Sequence, residues 1–178
     1  MARKKQSIDA LLVIDMQHAY FKDDVLAAQK PQLARTIQHY VDKFAKRNKL
    51  IINVTTIHSQ DKSTWTLNTL EDDAGFLLSG SDESQPIITL PKNTIEVTKT
   101  RDSAFHETNL IDVMRKHNVG HLTIVGVSAH TCIFHTAAAA YAYNVPVTLV
   151  RDGIGDEDHE AMIRSFDYLQ QEYRQRVL

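Results

Sequence analysis

The sequence has 178 residues, of which 43% are hydrophobic and 24% charged, and its formal net charge is -2. These values favour one globular domain over residues 1–178, and they give no electrostatic basis for binding nucleic acid or an acidic membrane. No apolar run approaches the ~18 residues of a membrane span, and a single cysteine excludes an intrachain disulfide. We therefore expect a cytoplasmic protein that acts on a small-molecule substrate and has no nucleic-acid or membrane partner.

Buried strands and helical patterns alternate along the chain. The first run, residues 9–15, is apolar throughout, which is typical of a strand covered on both faces. Further strands are predicted at residues 50–57, 93–98, 121–127 and 146–150. Helices are predicted from Pro31, after Thr108, over residues 130–143 and after Asp156. This order predicts a three-layer α/β/α sandwich with a mainly parallel, Rossmann-like central sheet.

Two segments do not follow this alternation. Residues 59–91 show little periodicity, and a connection of this length inside a compact domain is usually a functional loop or lid. Within it, residues 87–90 are apolar enough for a short strand. The final residues, 172–178, fit either a helix end or a subunit contact.

Cys132 is the only cysteine, and it stands where the fourth strand gives way to a helix. Unpaired backbone N–H groups and the positive end of a helix dipole lower a thiol pKa and favour the nucleophilic thiolate. The alternative is a buried, unreactive thiol that only fills space.

Asp15, Lys99 and the turn that contains Cys132 each follow directly after a predicted strand. Right-handed crossovers place the carboxyl ends of parallel strands on one edge, where open α/β sheets bind ligands. There a carboxylate can take the thiol proton, an ammonium can stabilise both anions, and backbone N–H groups can stabilise an oxyanion. Taken singly, Asp15 could merely cap a turn, and Lys99 could be a solvated surface charge.

Other side chains are candidates for a substrate pocket. His130 lies beside Cys132 in the sequence, and Trp65 and Phe105 could form aromatic walls. For both aromatic residues, ordinary packing is an equal alternative.

Three segments carry a resemblance to a known family. They are Leu-Val-Ile-Asp-Met-Gln at 12–17 with Phe21, Lys-Thr-Arg-Asp-Ser-Ala-Phe at 99–105, and Gly-Val-Ser-Ala-His-Thr-Cys-Ile at 126–133. In this order they resemble the isochorismatase-like cysteine hydrolases, a family that includes nicotinamidases and N-carbamoylsarcosine amidohydrolases.

The resemblance implies an isochorismatase-type fold and a role for each motif. Asp15, Lys99 and Cys132 would be a catalytic triad, and a cis peptide between Val127 and Ser128 would direct the backbone N–H groups of Ser128 and Cys132 into an oxyanion hole. Gln17 and Phe21 of the first motif would line the substrate pocket. The resemblance also implies a thioester intermediate and a homodimer or homotetramer.

The sequence departs from the nicotinamidase pattern after the second strand. Nicotinamidases place an aspartate two residues before a metal-binding histidine. Here Thr56 stands at that position, His58 remains, and Asp61 could serve only as an improvised ligand. We therefore predict no metal or other cofactor and disfavour nicotinamide as the substrate. The family branch that cleaves isochorismate lacks the cysteine, so Cys132 argues against that reaction too.

The sequence thus predicts a metal-independent cysteine hydrolase of a small amide or related carbon–nitrogen bond. An alternative of a different class is a non-catalytic oligomeric or regulatory protein on the same scaffold. A thiol redox sensor is a weaker alternative, because the chain contains no resolving cysteine.

Overall fold

A parallel sheet of six strands, in the order β3-β2-β1-β4-β5-β6, forms the centre of the protein. The structure, a computed structural model, describes residues 7–178, so residues 1–6 of the predicted domain lie outside it. The strands are β1 (Ile8–Ile14), β2 (Leu50–Thr56), β3 (Ile95–Lys99), β4 (Val119–Gly126), β5 (Val147–Ile154) and β6 (Arg176–Val177). All of their pairings are parallel. The five predicted strands are confirmed, and β6 adds a short edge strand to the segment predicted as a helix end or subunit contact.

Helices cover both faces of the sheet. They are α1 (Asp24–Lys46), α2 (Leu67–Glu71), α3 (Leu110–His117), α4 (Phe134–Ala142) and α5 (His159–Gln171). Side chains of β1 alternate between two cores: Leu11 and Val13 pack with α1, whereas Leu12 and Ile14 pack with α3, α4 and α5. The three-layer α/β/α prediction is therefore confirmed. Among the residues described, no helix combines the length and apolarity that crossing a membrane requires.

The first helix begins earlier than predicted. Asp23 caps it, with its carboxylate accepting hydrogen bonds from the backbone N–H groups of Val25 and Leu26. Pro31 therefore lies inside α1 instead of opening it. A proline there removes one backbone hydrogen bond. The apolar face that runs from Leu26 to Phe44 holds the helix on the sheet through this defect.

Two other local predictions were wrong. The last helix was predicted to be capped by Asp156, but its cap is Asp158, the residue directly before α5. The Asp158 carboxylate accepts a hydrogen bond from the Ala161 N–H at 2.9 Å. Residues 87–90 form no strand. The Ile87 N–H donates to the Met16 carbonyl, and only a single antiparallel bridge joins Pro86 to Gln17. Proline at 86 has no N–H with which to extend that pairing.

The end of β4 requires glycine. Gly126 has φ +128, and a Cβ there would lie 2.0 Å from the Ile14 carbonyl oxygen. Only glycine therefore lets β4 turn away while still paired to β1. One residue further on, the peptide bond between Val127 and Ser128 is cis, as the resemblance implied. The chain then enters a π-helical turn, Ala129–Ile133, that precedes α4.

Candidate active site

Asp15, Lys99 and Cys132 meet at the carboxyl edge of the sheet. Asp15 directly follows β1, Lys99 is the last residue of β3, and Cys132 lies in the turn between β4 and α4. All three are buried, with exposed fractions of 0%, 1% and 4%. The shared edge of the parallel strands thus brings together residues that are up to 117 positions apart in the sequence, from 15 to 132.

Lys99 connects the other two side chains. Its Nζ lies 2.8 Å from Asp15 Oδ2 and 3.3 Å from Cys132 Sγ. Burial by itself disfavours the ammonium, but the interactions with Asp15 and Cys132 together outweigh that penalty and raise the pKa of Lys99 above its ordinary value. Lys99 is therefore a buried cation at neutral pH and not a solvated surface charge.

The predicted direction of the Cys132 pKa was wrong. We expected a lowered value, yet burial, followed by the negative charge of Asp15, raises the pKa of the Cys132 thiol well above the ordinary range, and Lys99 only partly opposes them. Cys132 also lies in the π-helical turn and not at the start of α4. The resting thiol is therefore protonated, so a nucleophilic reaction requires a base to remove its proton.

Labelling of Cys132 should report this raised pKa. We expect the rate of alkylation by iodoacetamide to be low near neutral pH and to keep rising beyond the ordinary thiol pKa of about 8.5. The measurement is the labelling rate by mass spectrometry across an alkaline pH series, with free cysteine as the control. A rate that levels off at or below the pH found for free cysteine would contradict the buried, protonated thiol.

Thr56 joins the cluster from the end of β2. Its Oγ1 accepts a hydrogen bond from Lys99 Nζ at 2.6 Å and donates to Asp15 Oδ1 at 2.9 Å. Its backbone N–H donates to the same carboxylate oxygen, also at 2.9 Å. From the sequence, Thr56 was notable only as the residue that replaces a metal ligand of nicotinamidases. Its contact with Lys99 depends on the β2–β3 register, which pairs these two residues directly and which the sequence does not fix.

Gln17 supports Thr56 and does not line the pocket as predicted. Its Nε2 donates to the backbone carbonyls of Thr56 and Ser84, both at 2.9 Å, and its Oε1 accepts from the Thr56 N–H at 3.0 Å. The side chain is completely buried. These bonds use its amide fully, so Gln17 holds the end of β2 beside Asp15.

A cavity of about 490 Å³ opens beside Cys132 and Lys99. One wall comes from the long segment 59–91, through Thr66, Asn68, Thr69 and Phe76. The other lining side chains are mostly polar or charged: Tyr20, Thr56, His58, Thr100, Arg101, Asp102, Thr131 and Glu157. The cavity is large enough for a small polar molecule.

The three aromatic side chains predicted for this pocket do not line the cavity. Phe21 packs toward α1, with the Lys30 ammonium 5.8 Å from its ring centre. Trp65 is buried over Gly75 and donates Nε1–H to the Ser59 carbonyl. Phe105 stacks on Tyr143 at 5.2 Å between ring centres. Each ring is therefore occupied by packing, which for Trp65 and Phe105 is the alternative considered above.

Tyr20 occupies the position expected for Phe21. The 3-10 turn His18–Lys22 turns Tyr20 toward the cavity, where its ring meets Phe76 edge to face at 5.4 Å. Burial, together with the charges of Asp15 and Cys132, raises the pKa of Tyr20 well above its ordinary value, so its hydroxyl stays protonated beside the thiol. Sequence reasoning missed it because periodicity does not specify which of two neighbouring aromatic residues a short 3-10 turn directs inward.

His130 lies beside the cavity and is not one of its lining residues, which corrects its assignment to the pocket. Its Nδ1 is 2.8 Å from Asp156 Oδ1, and its backbone N–H donates to Asp156 Oδ2. Its Nε2 faces Glu157 at 4.0 Å, and Glu157 accepts a hydrogen bond from Ser128 Oγ. The side-chain ligand atoms of His130, Asp156 and Glu157 lie within 4.8 Å of one another, close enough to hold a metal ion. In this structure these side chains instead make hydrogen bonds that fix the turn before Cys132.

The residues at the nicotinamidase metal position do not fit a metal ion. Thr56 Oγ1 is committed to Lys99 and Asp15. His58 Nδ1 donates to the Thr64 carbonyl at 2.9 Å, and burial lowers the pKa of its ring. Asp61 is exposed and accepts hydrogen bonds from Ser63. Among the described residues, His58 and Asp61 belong to no group of three histidine, cysteine or carboxylate side chains close enough to share a metal ion, so they do not make a metal site.

Known protein families, characterised proteins and solved structures resemble this chain in sequence and in fold. The family model described as "Isochorismatase domain" matches residues 9–175. The chain is 29% identical over 163 residues to "Isochorismatase" of Bacillus subtilis (strain 168), covering 89% of this chain and 51% of that protein. It is also 29% identical over 153 residues to "Probable inactive nicotinamidase" of Arabidopsis thaliana, covering 80% of this chain and 78% of that protein. The chain thus spans about half the length of the Bacillus relative.

A solved structure extends the likeness to the whole fold. The pyrazinamidase of Pyrococcus horikoshii in complex with zinc superposes with a TM-score of 0.84 at 20% identity, covering 96% of this chain and 98% of that chain. At this identity the superposition establishes a shared fold.

Proposed function

The chain belongs to the isochorismatase family, and from that premise we propose that it is a cysteine-dependent, metal-independent hydrolase of a small amide or related carbon–nitrogen bond. The observation that carries the proposal is the position of Lys99 Nζ, 2.8 Å from Asp15 Oδ2 and 3.3 Å from Cys132 Sγ in a buried cluster beside an open cavity. An acid, a cation and a thiol in this arrangement suit covalent catalysis.

Asp15 is the base in this mechanism. Its Oδ1 accepts two hydrogen bonds from Thr56, whereas Oδ2, although 2.8 Å from Lys99 Nζ, accepts no aligned hydrogen bond from any residue of the described chain. Oδ2 therefore has a lone pair available for the Cys132 proton. Because the thiol is protonated at rest, its proton passes to Asp15 as Sγ attacks the substrate carbonyl carbon.

Acylation then proceeds through a tetrahedral intermediate. The new S–C bond places negative charge on the carbonyl oxygen, and the backbone N–H groups of Ser128 and Cys132 stabilise that charge in the proposed mechanism. Protonated Asp15 gives its proton to the leaving nitrogen, the C–N bond breaks, and ammonia or an amine departs from the thioester. The Lys99 ammonium stabilises Asp15 and the sulfur whenever either is anionic.

Deacylation reverses the proton transfers. Asp15 takes a proton from water as the water oxygen attacks the thioester carbonyl. The C–S bond breaks, the proton returns to the departing sulfur, and a carboxylic acid is released. The polar cavity wall favours a small polar amide as the substrate. The structural likeness to a pyrazinamidase supports the amide class. The lack of fitting metal ligands separates this chain from that protein, whose structure is a zinc complex.

The test is hydrolysis of a panel of small amides, carbamoyl compounds and acyl hydrazides in the presence of a chelator. We expect ammonia or amine release that the chelator does not change, and acid quenching should trap an acyl group that peptide mass spectrometry maps to Cys132. The control is an identical incubation without chelator but with added zinc. Hydrolysis that disappears with chelator and returns with zinc would contradict metal independence, and turnover without a Cys132 adduct would contradict the thioester.

A non-catalytic role on the same scaffold is the second candidate. Two observations favour it: the Arabidopsis relative carries the name "Probable inactive nicotinamidase", and Cys132 is only 4% exposed. The same experiment discriminates the two, because a non-catalytic protein would release no amine from any compound and would form no adduct on Cys132.

A further inference from the structure

Thr56 makes three hydrogen bonds to the charged pair beneath the thiol. Lys99 Nζ lies 2.6 Å from Thr56 Oγ1, and this is the shortest hydrogen bond of the cluster. Oγ1 and the backbone N of Thr56 each lie 2.9 Å from Asp15 Oδ1. The arrangement is largely shielded from solvent, because Asp15 and Lys99 have no exposed side-chain surface and Thr56 is 6% exposed.

The direction of these hydrogen bonds follows from chemistry. An ammonium has three donors and no acceptor, so Lys99 must donate to Thr56 Oγ1. The hydroxyl proton of Thr56 then points at Asp15 Oδ1, 2.9 Å away, because an anionic oxygen is a stronger acceptor than the neutral Tyr20 hydroxyl, which also contacts Thr56. With the backbone N–H added, residue 56 supplies two donors to Oδ1 and none to Oδ2.

We propose that Thr56 is a positioning residue that selects Oδ2 of Asp15 as the proton acceptor for Cys132 and holds Lys99 beside the sulfur. The inference builds on the proposed hydrolase mechanism and adds a residue to it. Thr56 touches neither the substrate carbonyl nor the sulfur in this role and acts through its two charged neighbours.

Removing the Thr56 hydroxyl should impair the transfer of the Cys132 proton to Asp15. The Lys99 N–H that now donates to Thr56 would need another acceptor inside a dry site, where an unmade hydrogen bond to a charge is costly. The nearest available anionic atom is Asp15 Oδ2, at 2.8 Å. Lys99, which already pairs with Oδ2, would then direct the released N–H at that oxygen as well, so that it competes with the thiol proton for Oδ2 and draws the ammonium away from Sγ.

The kinetic test compares Thr56→Val and Thr56→Ala with Thr56→Ser. We expect kcat to fall by about 10²-fold in the first two variants with KM little changed, since only proton transfer is impaired, and to recover to within about threefold of wild type in Thr56→Ser. Thr55→Val is the matched control, because Thr55 is the neighbouring buried threonine on the other face of β2. Thr56→Val and Thr56→Ala both lack the hydroxyl but differ in volume, so the test can still be made if one of them does not fold.

A second readout needs no substrate. The rate of iodoacetamide labelling of Cys132, at one alkaline pH, should fall at least fivefold in Thr56→Val and stay within twofold of wild type in Thr56→Ser. If wild type and Thr56→Val are labelled at equal rates, or if neither is labelled, the inference is wrong. An unchanged kcat in Thr56→Val and Thr56→Ala would also overturn it. If no amide is hydrolysed but labelling separates the variants as expected, the proposed function fails while the role of Thr56 in controlling the thiol stands.

Discussion

Replacing Cys132 with alanine is expected to lower kcat for amide hydrolysis by about 10⁴-fold or more, because the mechanism then has no nucleophile to form the thioester. Cys132 is the only cysteine in the chain, so no second thiol can substitute for it. Asp15 and Lys99 remain paired at 2.8 Å without the sulfur, and the cavity gains only the volume of one atom. The substrate should therefore still bind, and equilibrium binding measured by calorimetry should change far less than kcat.

Cys132→Ser is the matched control for this result. The serine hydroxyl nearly preserves shape and hydrogen bonding but is a far weaker acid than the thiol, so Asp15 should not activate it and hydrolysis should also be lost. Thermal unfolding of both variants should stay close to wild type, which separates loss of chemistry from loss of fold. Hydrolysis at the wild-type rate in either variant would reject covalent catalysis at this position.

The centre of the sheet could be predicted because β1 is buried on both faces. Leu11 to Ile14 have no exposed surface, and such a continuous apolar run is typical of a central strand in a parallel sheet. The start of α1 could not be predicted as readily. Pro31 is a strong local signal for a first turn, but the tertiary contact of Leu26 with the sheet core extends the helix past it. Packing against the sheet therefore outweighed the local preference.

The members of the buried cluster could be predicted, but the electrostatics of the cluster could not. Asp15, Lys99 and Cys132 were identified from their positions after strands, which depends only on topology. The pKa of Cys132 depends on how completely the thiol is desolvated and on which charge lies nearest, and neither follows from a place near a helix start. Thr56 and Tyr20 were missed for the same reason, since their contacts exist only once the neighbouring segments are packed.

Replacing Lys99 with methionine is expected to have the second largest effect, and it should reduce both activity and stability. Lys99 is among the largest completely buried side chains, and its ammonium is the cation beside the buried Asp15 carboxylate. Removing one partner of a buried pair leaves an uncompensated charge, which costs about 3–5 kcal/mol in the free energy of unfolding. Hydrolysis should fall by at least ~10³-fold, since Asp15 and the anionic sulfur both lose the same cation.

The double variant Asp15→Asn/Lys99→Met separates these two consequences. With both charges removed, much of the lost unfolding free energy should return, because replacing a whole buried pair is far less costly than breaking it. Activity should stay absent, since the base is also gone. Urea denaturation measures the free energy of unfolding of each variant. Lys22→Met is the control: the Lys22 side chain is 64% exposed, so its replacement should change the free energy of unfolding by less than about 0.5 kcal/mol. If Lys99→Met were as stable as wild type and still active, Lys99 would be neither the counter-ion of Asp15 nor part of the proton-transfer mechanism.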